Sequence, residues 1–376
     1  MRRRDLIAAG AALTVAGAGR NSAWAQPMPV LSEVKKLTVL DLEDLEKAAE
    51  KVMSPGPFAY VAGGGGNEWT LRENRKAFER WVIEPLYLSA VGPPDLSTTI
   101  LGSKLSLPVI TAPLGGQGLV HVSADVGMSQ GTGEGGGLMM ASTASTKTME
   151  EIAAATKGPK WFQLYLPGDR GIAREFLQRA KAAGYTAVAL TVDSYAGPNP
   201  LRAQRLGYTP VVAQGNYGGR TSAPKGALNW DDVNFVQEAS GLPVILKGVL
   251  TPDLAIMAVE TGMAGIQISN HGGRQLDTMP ATLDVLPGIA RAVNKRIPII
   301  LDGGVRHGID VLKALALGAN AVAIGRPFDF ALGLGGWMGV QSAYDRVRSE
   351  LTQAMRVVGA PTIAQIRPDC VKRANV

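Results

Sequence analysis

The chain has 376 residues, 46% of them hydrophobic and 46 of them glycine, enough to bury one large core or two small ones joined by many tight turns. Its formal charge of +6 is spread thinly, which argues against a nucleic-acid or membrane-surface partner. A single cysteine, Cys370, excludes an intramolecular disulfide and a thiolate metal centre, and three histidines, His121, His271 and His307, argue against a histidine-rich metal site.

Residues 1–26 read as an export signal. Arg2-Arg3-Arg4 forms a basic start, residues 6–19 form an apolar run too short to span a bilayer, and Ala23-Trp24-Ala25 is a small-x-small cleavage site. Paired arginines followed by Asp5-Leu6-Ile7 resemble the twin-arginine signal, which carries folded proteins and suits one that acquires a cofactor before crossing. An ordinary secretory signal or an uncleaved anchor is the alternative. The expected location is periplasmic or secreted, and the mature chain keeps a charge of about +3.

Residues 27–107 form an N-terminal helical segment and a hairpin. Leu42, Leu45, Ala49 and Val52 recur at helical spacing after a Thr38 cap, and Ser54-Pro55-Gly56-Pro57 stops them. Phe58-Ala59-Tyr60-Val61 and the run Gly63-Gly64-Gly65-Gly66 follow, and a second helix opens near Glu68. Segments 98–101 and 104–107, joined by Gly102-Ser103, read as a hairpin plugging whatever comes next.

From residue 108 to 376 the rhythm changes, and apolar runs of strand length alternate with helix-length segments. The runs are 108–113, 137–142, 160–166, 186–193, 242–249, 265–271, 297–304 and 321–327. Continuous apolarity means burial on both faces, as parallel sheets require. Eight such units predict an α/β fold, a (β/α)8 TIM barrel, with an open doubly wound sheet as the alternative and 335–358 as a closing helix. After strand four a stretch rich in Gly, Pro and Asn is far longer than the other connections, so it predicts a lid over the mouth.

In a barrel the strand C-termini face one site. They carry Pro113, Leu114 and Gly115, then Ser142, Gln163, Tyr165, Thr191, Asp193 and Lys247, then Ser269, His271 and Arg274. The last two strands bring Asp302, Gly303, Gly304, Val305, Arg306, Gly325 and Arg326. Singly these are unremarkable: a lone loop histidine is more often structural, and Gln163 or Thr191 more often a satisfied polar group. Together they offer a base (His271), a carboxylate to hold it and favour its protonated form (Asp193), and a fixed cation (Arg274). Lys247 can stabilise an anion developing on a bound ring, while two arginines on glycine turns suit a phosphate.

The stretch Ser269-Asn270-His271-Gly272-Gly273-Arg274-Gln275-Leu276-Asp277, with 242–248 and 302–306, resembles the FMN-dependent α-hydroxy-acid oxidase/dehydrogenase family over about 37–367. The resemblance implies FMN as cofactor and oxidation of a (S)-2-hydroxy acid to a 2-oxo acid, leaving open whether the α-hydrogen departs as hydride or proton. Pro113, Leu114, Gly115, Ser142, Gln163, Thr191, Lys247 and Ser269 would hold the ring and ribityl parts, and Asp302 to Arg306 with Gly325 and Arg326 the ribityl and phosphate end. His271 would be the base, Asp193 its partner, Arg274 the carboxylate clamp, and Tyr60 and Tyr165 the orienting hydroxyls. No resident metal is implied, and a homotetramer is the family's habit.

Two departures concern the substrate. The family's second active-site arginine falls on Pro200, so Arg202 is the candidate replacement, and Ala144 stands where the family has an aromatic pocket residue. Both predict a bulkier or less anionic substrate than lactate. Gly115, where the family's oxidases carry alanine, tilts the acceptor from O2 towards a quinone or a separate cytochrome. An isomerase-type FMN barrel is disfavoured by the intact His271 and Arg274. A flavin-binding electron relay with diverged substrate is permitted by the missing arginine.

Overall fold

The computed structural model describes residues 30–194 and 199–374; the expected export segment, 1–26, lies outside the described residues. Eight parallel strands close into a barrel: β1 Val109–Thr111, β2 Leu138–Ser142, β3 Lys160–Leu164, β4 Val188–Thr191, β5 Val244–Val249, β6 Gly265–Ile268, β7 Ile299–Asp302 and β8 Ala321–Ile324. Pairing of Val322 with Val109 and Ile324 with Thr111 seals the ring. The eight expected runs are therefore the eight barrel strands, and the open-sheet alternative falls.

The helices that follow the strands are α1 Ala124–Glu134, α2 Met149–Ala154, α3 Arg170–Ala182, α4 Trp230–Ser240, α5 Pro252–Glu260, α6 Thr282–Val293, α7 Gly308–Ala316 and α8 Arg326–Val357. Strand residues alternate between two packed layers. Ile110, Met140, Trp161, Ala189, Ile245 and Ile300 fill the barrel interior, large beside small, while Met139, Phe162, Val188, Leu246 and Leu301 pack outwards on the helices. In α3 the apolar stripe Ala173, Phe176, Leu177 and Ala180 is wholly buried, and each large side chain on it contributes roughly 1.5–3 kcal/mol. The long α8 begins at Arg326, earlier than expected, and is broken at Gly335 and Gly336, whose backbone angles are not helical.

The hairpin closes the barrel floor. Its strands are Thr98–Ile100 and Ser103–Leu105, so the turn is Leu101-Gly102, one residue earlier than expected. Both turn residues have positive φ, +45° and +77°, the combination a two-residue hairpin turn requires. That register frees Ser103 to accept a 3.1 Å hydrogen bond from Trp161 Nε1, while Ile100 and Leu105 join the interior layer.

At the other end, the helix Leu42–Glu50 is capped by Asp41 rather than Thr38, because the Asp41 carboxylate accepts the Glu43 N–H at 2.8 Å. Helices Pro55–Ala62 and Trp69–Glu79 follow, and the glycine run between them is packed backbone against backbone. Gly65 N–H donates to the Gly273 carbonyl at 2.7 Å, and a Cβ on Gly65 would collide with the Gln275 carbonyl. A reciprocal amide pair between Asn74 and Asn270, 2.8 Å in both directions, ties the third helix to the end of β6.

The long connection after β4 lies across the mouth, with a short helix Leu201–Arg205 and a turn Gly215–Tyr217. Asn216 pins it: its side chain accepts the Met149 N–H at 2.8 Å and donates to Ser142 O, Thr143 O and Ser145 Oγ, all buried beside the end of β2. Asn216→Ala leaves these groups unpaired, which costs about 1–3 kcal/mol. We expect faster limited proteolysis within 199–225 while the barrel stays intact; unchanged cleavage would show that the loop is held elsewhere.

Candidate active site

His271 follows β6 on three consecutive left-handed residues, with φ of +60° at His271, +62° at Gly272 and +74° at Gly273. Only glycine adopts that backbone freely, so the two glycines let the chain reverse at once and bring the imidazole to the side chains that follow β3 and β4. Its Nδ1 lies 3.0 Å from Asp193 Oδ1, and its Nε2 lies 3.0 Å from the Tyr165 hydroxyl. Facing a carboxylate, Nδ1 carries the hydrogen and Nε2 keeps its lone pair, which the tyrosine O–H satisfies.

Electrostatics keep that lone pair available. Burial lowers the His271 pKa first, and the Lys247 ammonium lowers it further; the attraction of Asp193 opposes both without overcoming them. Asp193 does favour the protonated ring, as expected, but burial and Lys247 outweigh it, so the pKa lies below its ordinary 6.5 and the neutral form is favoured at neutral pH. Burial pushes the Asp193 carboxyl up, but Lys247, 4.0 Å away, and His271 outweigh it and hold it down at about 2. Lys247 is itself buried and donates to Ser269 Oγ at 3.2 Å, which also accepts the His271 N–H at 3.0 Å. Burial, then the Asp193 charge, raises the Tyr165 hydroxyl pKa, so it stays a donor.

Beside this group a relay of neutral side chains fixes the cavity floor. Ser142 Oγ donates to Gln163 Oε1 at 2.9 Å, and Gln163 Nε2 donates to Thr191 Oγ1 at 2.8 Å. Gln267, the one polar residue inside β6, donates to Asp302 Oδ2 at 2.6 Å. Asp302 is buried, its pKa raised by that burial, and its Oδ1 has no hydrogen-bond partner among the described residues.

The far end holds three arginines. Arg326 bonds the carbonyls of Val61, Gly63 and Gly272 at 2.7–3.1 Å, and Arg274 Nη1 bonds those of Tyr60, Val61 and Gly63 at 2.8–3.2 Å while its guanidinium stacks 4.7 Å over the Tyr60 ring. Burial first, then Arg274 and Arg306, pushes Arg326 down to about 9. Arg306 donates to Val305 O, and its own N–H is taken by Asp310. Asp329, on the first turn of α8, is pushed up to about 7 by burial and Asp125 against the pull of Arg274 and Arg326.

A cavity of about 510 Å³ joins these parts. Tyr60, Tyr165, His271 and Arg274 line it, as do Pro113, Leu114, Gly115, Ser142, Lys247, Asp302, Gly303, Gly304, Val305, Arg306, Gly325 and Arg326. Gln163, Thr191 and Ser269 lie behind the wall and act through Ser142 and Lys247, and Asp193 acts through His271. Arg202 is elsewhere: it forms a bidentate pair with Glu68 at 2.6 and 3.0 Å, and Glu68 also accepts the Gly64 N–H. The expectation that Arg202 replaces the missing clamp is therefore corrected, since its fork is spent on that carboxylate.

Sequence reasoning passed over Gln267, Gln214, Ser194 and Asp329. Gln267 and Asp329 were visible as polar interruptions of apolar runs; Ser194 and Gln214 belong to the lid and carried no pattern.

The residues present fit FMN. The partly buried guanidinium groups of Arg306 and Arg326 concentrate positive charge that a phosphate dianion would balance, and Asp302 Oδ1 offers a free acceptor to a sugar-like hydroxyl. Gly303 and Gly304, at φ of +94° and +86°, are glycines for a packing reason as well, because a Cβ on Gly304 would collide with the Asn74 carbonyl.

Comparison with known proteins agrees with this geometry. The FMN-dependent dehydrogenase family matches residues 49–373. An L-lactate oxidase of Lacticaseibacillus rhamnosus is 41% identical over 353 residues, covering 90% of this chain and 96% of that one. Glycolate oxidase 3 of Arabidopsis thaliana is 36% identical, covering 89% and 96%. Among solved structures, a lactate oxidase of Pediococcus acidilactici superposes with a TM-score of 0.90 at 40% identity, covering 93% of this chain and 99% of that one. A mandelate oxidase bound to (S)-2-phenylpropionate gives 0.84 at 36%, covering 90% and 99%. With its barrel, its basic cradle and its histidine between Asp193 and Tyr165, the chain belongs to the FMN-dependent dehydrogenase family and is an FMN enzyme that oxidises 2-hydroxy acids to 2-oxo acids.

Proposed function

We propose that this cavity oxidises (S)-2-hydroxy acids with His271 Nε2 as the base, and that Asp193, Lys247, Tyr165, Tyr60 and Arg274 serve it as follows. The observation that carries the reading is an imidazole held between a carboxylate and a tyrosine hydroxyl, its pKa lowered by burial, opposite a cluster of partly buried arginines. FMN, when bound, supplies the two-electron acceptor. His271 Nε2 takes the proton the substrate releases, and Asp193, ionised throughout, stabilises the imidazolium that results. Tyr165, already bonded to Nε2, marks the place of the substrate hydroxyl. The remaining donors of Arg274 clamp the carboxylate, and Lys247 steadies negative charge arising on the ring side.

With Arg202 paired to Glu68, one arginine clamps the carboxylate. A charge-assisted bond is worth roughly 1.5–3 kcal/mol, so small hydroxy acids bind about 10- to 150-fold more weakly than with two clamps. The glycine at 115 supports a quinone or separate cytochrome as acceptor, whereas the oxidases among the relatives support O2. Residues 1–26 support export of the folded protein to the periplasm or beyond. Changing Arg2, Arg3 and Arg4 to lysine should strand the holoprotein in the cytoplasmic fraction; undiminished export would mean that the secretory route is used instead.

Two measurements test the chemistry. Anaerobic addition of (S)-lactate, (S)-mandelate and longer (S)-2-hydroxy acids should bleach the flavin, and mixing the reduced protein with air or a soluble quinone identifies the acceptor by the faster return of colour. If no hydroxy acid bleaches it, the barrel is a flavin-binding relay and this reading is wrong.

His271→Gln should retain FMN and lose about 10²- to 10⁴-fold in reduction rate. Because the neutral ring is the active form and its pKa is lowered from 6.5, kcat/KM should hold at neutral pH and fall as pH drops through a value below 6.5. Asp193→Asn removes the larger of two carboxylates that pull in the opposite direction, the other being Asp302, so that acid limb should move to still lower pH while kcat falls. A limb that moves upward contradicts the assignment.

A further inference from the structure

The cavity does not end at Ala144. A second, more open cavity of about 740 Å³ adjoins it and shares Ala144, Tyr165, Gln214 and Pro224 with it. The second space runs between the end of β2 and the lid, past Thr143, Thr146, Val212, Ala213 and Tyr217. At the shared wall the β2 side offers only a methyl group. Ala144 sits directly across from Gly115, where an added Cβ would come within 3.2 Å of the Ala144 Cβ. A larger side chain at 144 would therefore stand in the passage.

The chemistry of the groove limits what can occupy it. Among the described residues, its one charged side chain is Arg220, which is spent on a bidentate pair with Glu175 at 2.7 Å on both arms. What remains is apolar surface, neutral hydroxyls and the uncharged amide of Gln214. Such a wall gains from burying methylene groups and gives a second carboxylate no counter-charge. Its frame is fixed, because the Asn216 side chain bonds the Ser142 and Thr143 carbonyls beneath it.

We propose that the substituent of the substrate passes over Ala144 into this groove, so that the preferred substrates are 2-hydroxy acids carrying an extended, uncharged chain. The inference rests on the function proposed above and adds the substrate class. Arg274 and His271 hold the carboxylate and hydroxyl in the inner cavity, and the groove selects by the length and neutrality of everything beyond C3. Position 144 acts as the gate between a short and a long pocket.

The test uses the FMN-loaded protein with (S)-lactate, (S)-2-hydroxyoctanoate and (S)-2-hydroxyglutarate, following anaerobic flavin reduction. We expect kcat/KM for hydroxyoctanoate to exceed that for lactate by about tenfold or more, and hydroxyglutarate to show no gain. Ala144→Tyr should collapse the octanoate-to-lactate ratio by about tenfold. Val212→Lys, placed further out in the groove, should lower the same ratio and raise that of hydroxyglutarate to lactate. Independently of turnover, 2-oxooctanoate should raise Tm more than pyruvate does at equal concentration, and Ala144→Tyr should erase the difference. Equal efficiency for lactate and hydroxyoctanoate, with a ratio that neither variant moves, overturns the groove and leaves the proposed function standing. Failure of all three acids to reduce the flavin overturns the function itself.

Discussion

The site depends on one carboxylate, largely withdrawn from solvent. Asp193 sits at the end of β4 between the Lys247 ammonium and the His271 ring, and each of the three would be costly to bury without the others. Lys247 lowers the carboxyl pKa and the imidazole pKa together, so the pair is held as carboxylate and neutral ring. A base needs that protonation state. The barrel supplies it by topology, because β4, β5 and β6 are hydrogen-bonded neighbours and their C-termini must lie side by side.

The second constraint comes from outside the barrel. Tyr60 to Gly63 are held against the mouth by core packing of Val61 and Ala62 and by the carbonyls of Tyr60, Val61 and Gly63, which receive Arg274 and Arg326, and the glycine run fits there because no Cβ separates it from Gly273 and Gln275. Two arginines that the sequence assigns to ligands thus also carry structural bonds. Their close approach raises positive potential at the cavity's far end, and it adds to burial, the larger cause, in depressing the Arg326 pKa. An anionic cofactor terminus is what such a cluster would attract most strongly.

The barrel was legible because parallel strands buried on both faces leave continuous apolar runs, and the helices between them carry a 3.6-residue stripe. The site was legible where strand ends carry polar residues, from Ser142 to Arg326. What escaped depends on pairs remote in sequence. Arg202 meets Glu68 across 134 positions and Arg326 meets Val61 across 265, and neither partner is marked by a local pattern. The hairpin turn slipped by one residue because Gly102 fits either frame, and pairing of Ser103 with Ile100 chooses between them. Thr38 and Asp41 are both good caps; the helix begins directly after the second. The direction of the His271 shift could not be read from residue types, since it is a contest between burial, a cation and an anion.

Glu68 draws the lid into the same assembly. Its two oxygens receive Arg202 from the lid and Gly64 from the glycine run, and the neighbouring Gly66 N–H donates to the Asn199 carbonyl at 3.0 Å. The same few residues then seat Arg274 through the carbonyls of Tyr60, Val61 and Gly63. Lid and substrate clamp are therefore not interchangeable modules. A lid without Arg202 would leave Glu68 unpaired, and the disturbance would reach the carboxylate-binding arginine through the backbone it leans on. A substitution at Arg202 therefore acts on the lid and on the segment around Tyr60 together.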